Sequence, residues 1–344
     1  MSATTNQPPL LEVRGLTTEF ATRAGAVAAV RDVSLTVRRG EKVAIVGESG
    51  CGKSTLALSI LGLIDKPGRI ASGEVLLEGR DLVGLGERAM KTIRGKVVSL
   101  IFQDPMGALD PIQTVGAQMI DTLRRHQPSL SHKAARARAV ELLREVEVPA
   151  AERRLDDYPH HYSGGMRQRV MIAIALANAP DLIIADEPTT ALDVTTQAQV
   201  LALLERVVAD HGVAVLLITH NLGVVAEFCD VVQVMYAGRI VERGPTEAIL
   251  AKPTHPYTQA LLESIPDPAR IGTRLRAIPG MPPDLSAMPS GCAFEPRCFF
   301  GHGREICRAH QPPPVEIETV AGPSRVECHF AAERAARASE VAAS

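Results

Sequence analysis

The stretch Gly47-Glu48-Ser49-Gly50-Cys51-Gly52-Lys53-Ser54-Thr55 fits the pattern G-x-x-x-x-G-K-[ST] in full. Glycines at those positions let the backbone curl until successive N–H groups face phosphate oxygens, next to the positive N-terminus of a helix. In that arrangement Lys53 reaches the β- and γ-phosphates of a nucleotide, and the Ser54 hydroxyl ligates Mg²⁺. Cys51 reads as a tolerated small residue inside the loop, with a reactive thiol as the alternative. A second chemical group closes the run LIIADE (182–187). Four apolar residues of strand character end in Asp186, a carboxylate suited to the Mg²⁺ sphere. Glu187 follows directly and is placed to polarise an attacking water, assistance typically worth ~10²–10⁴ in rate.

These residues need a rigid frame. KVAIVG (42–47) is a compact β-branched run, read as a buried strand that leads into the glycine-rich turn. KSTLALSILGL continues as a helix. GEVLLEG (73–79) and VVSLIFQ (97–103) are further strands. DLIIADEP (181–188) and VAVLLITH (213–220) are continuous apolar runs, as expected at the centre of a parallel sheet covered on both faces. Between them TTQAQVLALLERVVADHG predicts an amphipathic helix ending at Gly212. Residues 104–180 read as a helical insertion, with Ser131 as an N-cap. Strand–helix alternation of this kind predicts an α/β domain.

A third motif narrows the class. HYSGGMRQRVMIAIAL (161–176) resembles the LSGGQ signature of ATP-binding-cassette (ABC) ATPases, with Tyr162 for Leu and Met166 for Gln. Ser163, Gly164 and Gly165 at a helix N-terminus make a second anion site. Gln103 in IFQDP is similar to the Q-loop glutamine, TALD (190–193) to the D-loop with Asp193 facing a partner, and His220 in LLITHN to the switch histidine. Phe20 in TTEF falls where the family places an aromatic against adenine; a core Phe at a strand end is the alternative. The resemblance covers roughly residues 10–250. It implies a P-loop domain with a RecA-like α/β core, an antiparallel β layer and a helical subdomain. It also implies ATP and Mg²⁺ as cofactors, with Mg²⁺ held through Ser54, Gln103 and Asp186. In this family each ATP lies between the Walker A loop of one subunit and the signature (here Ser163, Gly164, Gly165, Met166) of a second.

The expected organisation is a disordered start (1–8), the ATPase domain (9–250), a small irregular cysteine-containing extension (251–332) and a mobile tail (333–344). The extension is Pro-rich. HPYTQALLESIP (255–266), then IPGMPPDLSAMPSGCAFEPRC, resembles the C-terminal extension of dipeptide/oligopeptide importer ATPases, a group that also includes nickel, glutathione and other small-solute importers. That resemblance implies two transmembrane permeases, a second and non-identical ATPase subunit, and an extracytoplasmic solute-binding protein. It implies a peripheral position on the cytoplasmic face of the plasma (inner) membrane. The expected function is ATP hydrolysis driving import of di- or oligopeptides. The alternatives are a nickel, glutathione or other small-solute cargo, and a soluble non-transport ABC ATPase.

Of six cysteines, Cys292, Cys298, Cys307 and Cys328 lie in the extension, spaced C-x5-C-x8-C-x20-C. No basic region followed by an apolar stretch opens the chain, so no signal peptide is expected and a reducing compartment disfavours disulfides. Zinc sites of short chains usually show C-x₂₋₄-C pairs, which are missing here. An iron–sulfur cluster takes four thiolates at irregular spacing. Unliganded thiols are the remaining reading. Some of the resembling extensions carry a [4Fe–4S] cluster, which makes that the expected cofactor and Zn²⁺ the alternative. Phe294, Phe299 and Phe300 are expected to shield it, and His302, His310 and His329 are substitute ligands or surface histidines.

Composition sets the bounds. The chain has 344 residues, 46% hydrophobic and 22% charged, with a net charge of -2. It is large enough for two domains. A slightly acidic balance argues against a nucleic-acid partner. No apolar run approaches the ~20 residues of a membrane-spanning helix, so a membrane role requires a partner.

Overall fold

The computed structural model describes residues 8–23, 25–190, 192–264, 277–319 and 321–336. The expected disordered start and mobile tail lie mostly outside these residues. Of the expected mobile tail, residues 333–336 are described and helical. Arg334 fastens them, donating from Nε to the Thr254 carbonyl (2.6 Å) and from its fork to Gln259 Oε1 (2.6 Å).

The chain forms two compact units, one drawn from 1–12, 36–42 and 76–218, the other from 13–35, 43–75 and 219–344. The first unit is built on three parallel strands. Leu182–Asp186 lies in the middle, paired with Val98–Ile101 on one side and Ala214–Thr219 on the other. Leu182, Ile183, Ile184 and Ala185 are all completely buried, as a strand covered on both faces must be. The stretch between these strands is helical. Val115–His126 packs on His132–Glu145, which packs on Gly164–Leu176, which in turn meets Val194–His211. Short polar side chains start these helices by accepting the orphan N–H groups of the first turn: Thr114 from Ala117, Ser131 from Ala134, Ser163 from Met166 and Asp193 from Thr196. Val194–His211 ends at Gly212 in the left-handed conformation (φ 63°), the common glycine stop.

In the second unit Lys42–Val46 pairs in parallel with Val231–Tyr236, and Arg239–Pro245 follows antiparallel to it. The next neighbour comes from the extension. Gly322–Glu327 pairs with Arg239–Pro245 through Glu242↔Val326 and Arg243↔Arg325, and forms a hairpin with Pro314–Thr319. Sequence reading gave no hint of this hairpin, so the region after 250 is less irregular than expected. A second sheet orders Gly25–Val37, Leu11–Thr22, Gly68–Leu77 and Arg80–Asp81, the last two paired antiparallel. The HPYT segment starts the helix Pro256–Glu263, with Pro256 at its first position. Buried Glu242 reaches from the sheet to accept the N–H groups of Thr254 (2.7 Å) and His255 (3.1 Å). Burial pushes its carboxyl up to about 7. Among the described residues no helix is long and apolar enough to cross a membrane.

Candidate functional site

The phosphate loop lies in the second unit, between the buried strand Lys42–Val46 and the helix Lys53–Ile60. Two glycines are dictated by close backbone approach. A Cβ on Gly47 would lie 2.2 Å from the Met235 carbonyl oxygen, and one on Gly52 would lie 2.3 Å from that of Ala29. Gly52 also has φ +107°, open only to glycine in practice. Lys53 is buried, and its ammonium donates to the carbonyls of Gly47 (2.8 Å) and Glu48 (2.9 Å), closing the loop on itself. Ser49, Gly50 and Ser54 are exposed and Thr55 is half-buried. Burial raises the Cys51 thiol and masks its sulfur, the environment of a small packing residue rather than of a reactive thiolate. Ser59, later in the helix, is tied to Thr18 of the second sheet (2.7 Å). Phe20 stands half-buried on Leu11–Thr22, its ring edge against Gly68, where a Cβ would come within 2.6 Å of it. His220 is exposed immediately after the strand Ala214–Thr219.

The carboxylate pair lies in the first unit. Asp186 is the last residue of its strand and half-buried. Glu187 adopts φ +45°, and its N–H donates to the Ile218 carbonyl (2.8 Å). Its Oε2 accepts from Gln103 Nε2 (3.1 Å) and from the Thr190 hydroxyl (2.8 Å). The structure thus joins the expected Q-loop glutamine to the expected general base and adds Thr190 as a second orienting donor. The signature begins the helix Gly164–Leu176. Ser163 is exposed, and Gly165 approaches Thr196 so closely that a Cβ would meet its methyl at 2.5 Å. Asp193 holds the same threonine, accepting its N–H (3.0 Å) and its hydroxyl (2.7 Å); those bonds lower the carboxyl below its usual range. Tyr162, which stands where the signature has Leu, is buried, with its hydroxyl donating to the Arg154 carbonyl (2.6 Å).

In the extension, Cys292, Cys298, Cys307 and Cys328 all line one cavity, together with Phe294 and Phe300. Two contacts draw the chain together there. The Cys292 N–H donates to the Cys307 carbonyl (2.8 Å), and the Cys298 sulfur accepts the Gly301 N–H (3.0 Å). A side chain at Gly301 would crowd the sulfurs of Cys307 (3.1 Å) and Cys298 (3.4 Å). Burial pushes the Cys292 thiol up to about 12 and the Cys328 thiol to about 11. Among the described residues no group of three or more His, Cys, Asp or Glu is gathered as a metal-ion site requires. The expected shield is corrected in one place. Phe299 is 58% exposed and lies under the Arg334 guanidinium, and Phe330 takes its place at the cavity. His302 and His310 are exposed, whereas His329 lines the cavity with its ring nitrogen bonded to the His310 carbonyl (3.0 Å).

Sequence reading missed the aromatic support of the phosphate loop. Tyr257 of the HPYT segment is fully buried, and its hydroxyl accepts the Glu48 N–H (2.9 Å). Its ring packs against Tyr236 (4.5 Å between centroids) and Phe294 (5.4 Å). A buried Tyr needs a hydrogen-bond partner for its hydroxyl, and that general rule was the only signal available.

Residues 30–190 match the ABC transporter family, and residues 241–307 match the oligopeptide/dipeptide transporter C-terminal region. A Brucella melitensis protein named for peptide import and ATP binding is 48% identical over 324 residues, 91% of this chain and 95% of its own. The oligopeptide transport ATP-binding protein OppD of Salmonella typhimurium is 46% identical over 321 residues, 92% of this chain and 94% of its own. The dimeric ATP-binding cassette MJ0796, solved in a post-hydrolysis state with ADP and Pi, superposes with a TM-score of 0.62 at 30% identity, covering 69% of this chain and 98% of that one. The chain belongs to the ABC transporter family of ATP-binding proteins, in the group that carries the oligopeptide/dipeptide transporter C-terminal region.

Proposed function

We propose that this chain is the ATP-hydrolysing subunit of an ABC importer for di- and oligopeptides. The observation that carries this reading is the pairing, in one chain, of the cassette with the peptide-transporter C-terminal region, shared with peptide-transport relatives along more than nine-tenths of its length. In this reading Lys53 and the N–H groups of 47–55 bind the ATP phosphates, and Phe20 stacks on adenine. Mg²⁺, when bound, neutralises developing phosphate charge, and the oxygen donors of Ser54, Gln103 and Asp186 suit so hard a cation. Glu187 takes the proton of the attacking water, held in aim by Gln103 and Thr190. His220 contacts the γ-phosphate. Ser163, Gly164, Gly165 and Met166 serve the ATP of a second, non-identical ATPase subunit, with Asp193 at that interface. Two permeases and an extracytoplasmic binding protein complete the complex, and the chain sits peripherally on the cytoplasmic face of the membrane. ATP drives closure only through its higher affinity for the closed state.

Uptake of a radiolabelled tripeptide tests the cargo. Deleting this chain is expected to abolish uptake, and re-expression to restore it, with nickel and glutathione uptake unchanged. Loss of nickel or glutathione uptake with peptide uptake intact would move the cargo to those solutes. ATPase stimulated by DNA or ribosomes, without membrane association, would favour a non-transport role.

The extension is further proposed to hold a [4Fe–4S] cluster on Cys292, Cys298, Cys307 and Cys328. Its support is the donor set: four thiols around one apolar-walled cavity. Zn²⁺ on the same four thiolates is the alternative. Loading would release the thiol protons that burial retains. Anaerobically purified protein is expected to contain about four iron and four sulfide per chain, lost in Cys307→Ser. A colourless protein carrying zinc and no iron would refute the cluster.

A further inference from the structure

Arg297 lies one residue before Cys298, in the short turn Glu295–Arg297, and is 6% exposed. Its guanidinium reaches into the phosphate loop. The two fork nitrogens donate to the two oxygens of Glu48, at 2.7 and 2.9 Å. One of them also donates to the Tyr236 hydroxyl (3.2 Å), and Nε donates to the Pro279 carbonyl (2.8 Å). The arginine is therefore held from the side of the extension before it touches the loop. Glu48 is the first residue after Gly47, and it is gripped at three points: carboxylate by Arg297, N–H by Tyr257, carbonyl by Lys53.

A carboxylate at this place is chemically awkward. A loop that gathers a polyanion gains nothing from a negative side chain, which repels phosphate through a medium of reduced dielectric. A bidentate arginine cancels that charge and fixes the geometry in one contact, which a lysine does less well. Glu48 in return gives the extension a point of attachment 249 residues away in sequence.

We propose that Arg297 is a positioning residue of the nucleotide site: it neutralises Glu48 and braces the phosphate loop, so that the cysteine-bearing extension sets the affinity of the loop for ATP. This rests on the reading of 47–55 as the nucleotide loop.

The test is equilibrium binding of a fluorescent ATP analogue to the full chain, with turnover at saturating ATP and iron content measured alongside. Arg297→Ala is expected to weaken nucleotide affinity about tenfold, because the Glu48 carboxylate is left bare. Glu48→Gln alone is expected to weaken it about threefold, since the bidentate brace is lost while the charge left unpaired, that of Arg297, attracts phosphate rather than repelling it. The double variant should return to the level of Glu48→Gln, making Glu48→Gln a suppressor of Arg297→Ala. Arg297→Lys should lie near the threefold level, and it serves if Arg297→Ala does not fold. Turnover at saturation should stay within about threefold in Arg297→Ala and Arg297→Lys, an affinity effect rather than a chemical one. Wild-type affinity in Arg297→Ala, or a double variant weaker than Arg297→Ala, overturns the proposal. Failure of the wild-type chain to bind ATP would instead overturn the nucleotide reading itself.

Discussion

Glu187→Gln is expected to bind ATP at near wild-type affinity and to hydrolyse it ~10²–10⁴ more slowly, the range that general-base assistance supplies. The substitution preserves shape, and the backbone at 187 is held by the bond from its N–H to Ile218. The Thr190 hydroxyl and the Gln103 amide, which donate to Oε2, keep an acceptor in the new amide oxygen. What is lost is the ability to take a proton from water. Because neither Glu187 nor its orienting donors belong to the loop 47–55, the binding of the triphosphate should be spared. Phosphate release under single-turnover conditions, with analogue binding as the control, separates the two effects. Turnover within a few fold of wild type would show that Glu187 is not the base. A comparable loss of binding would show that it holds the nucleotide instead. Gln103→Ala provides a graded comparison: the carboxylate stays but loses the orienting bond from the Gln103 amide, so a smaller loss is expected than for Glu187→Gln.

What could be read directly from sequence was what short-range physics determines. The strands Lys42–Val46 and Leu182–Asp186 are continuous β-branched or apolar runs, and their ends carry the chemistry, so motif and element identified each other. Ser131 and Gly212 punctuate helices as local capping rules require. The hairpin Pro314–Thr319 and Gly322–Glu327 was hidden because the first strand, PVEIET, alternates in burial and lies at the outside of its pairing series, with no apolar run to announce it. The misplacement of Phe299 has a similar origin. Adjacent residues point different ways in an irregular turn, and only Phe300 of the pair faces the cysteines. Tyr257 and Arg297 meet Glu48 across 209 and 249 residues, and no periodicity or spacing rule encodes such a contact. The HPYT segment was legible as a family marker. Its physical role, a helix start anchored on Glu242 that aims a hydroxyl at the phosphate loop, was not.

Lys53→Ala should remove ATP binding at working concentrations and, with it, hydrolysis. In the ligand-free chain the Lys53 ammonium is buried at 5% exposure and spans the loop, bonded to the carbonyls of Gly47 and Glu48. A phosphate entering the loop offers that same cation a charged partner, and hydrogen bonds to charged groups are worth ~1.5–3 kcal/mol each. Losing the cation and the clamp together is expected to weaken ATP on the order of 10²-fold. Arginine is not expected to rescue, because a longer planar fork does not fit a site shaped around a compact ammonium. Thermal unfolding makes the result specific. At an ATP concentration of 100 Kd the wild-type chain gains ~2.7 kcal/mol from binding, and a ~10²-fold weaker variant gains ~0.4 kcal/mol at the same concentration. The ATP-dependent rise in melting temperature should thus nearly vanish in Lys53→Ala, while the ligand-free value moves little because the lost bonds lie within one loop. An undiminished ATP-dependent rise would refute the role of Lys53 in phosphate binding. A large fall in the ligand-free value would show that its bonds to Gly47 and Glu48 chiefly stabilise the fold.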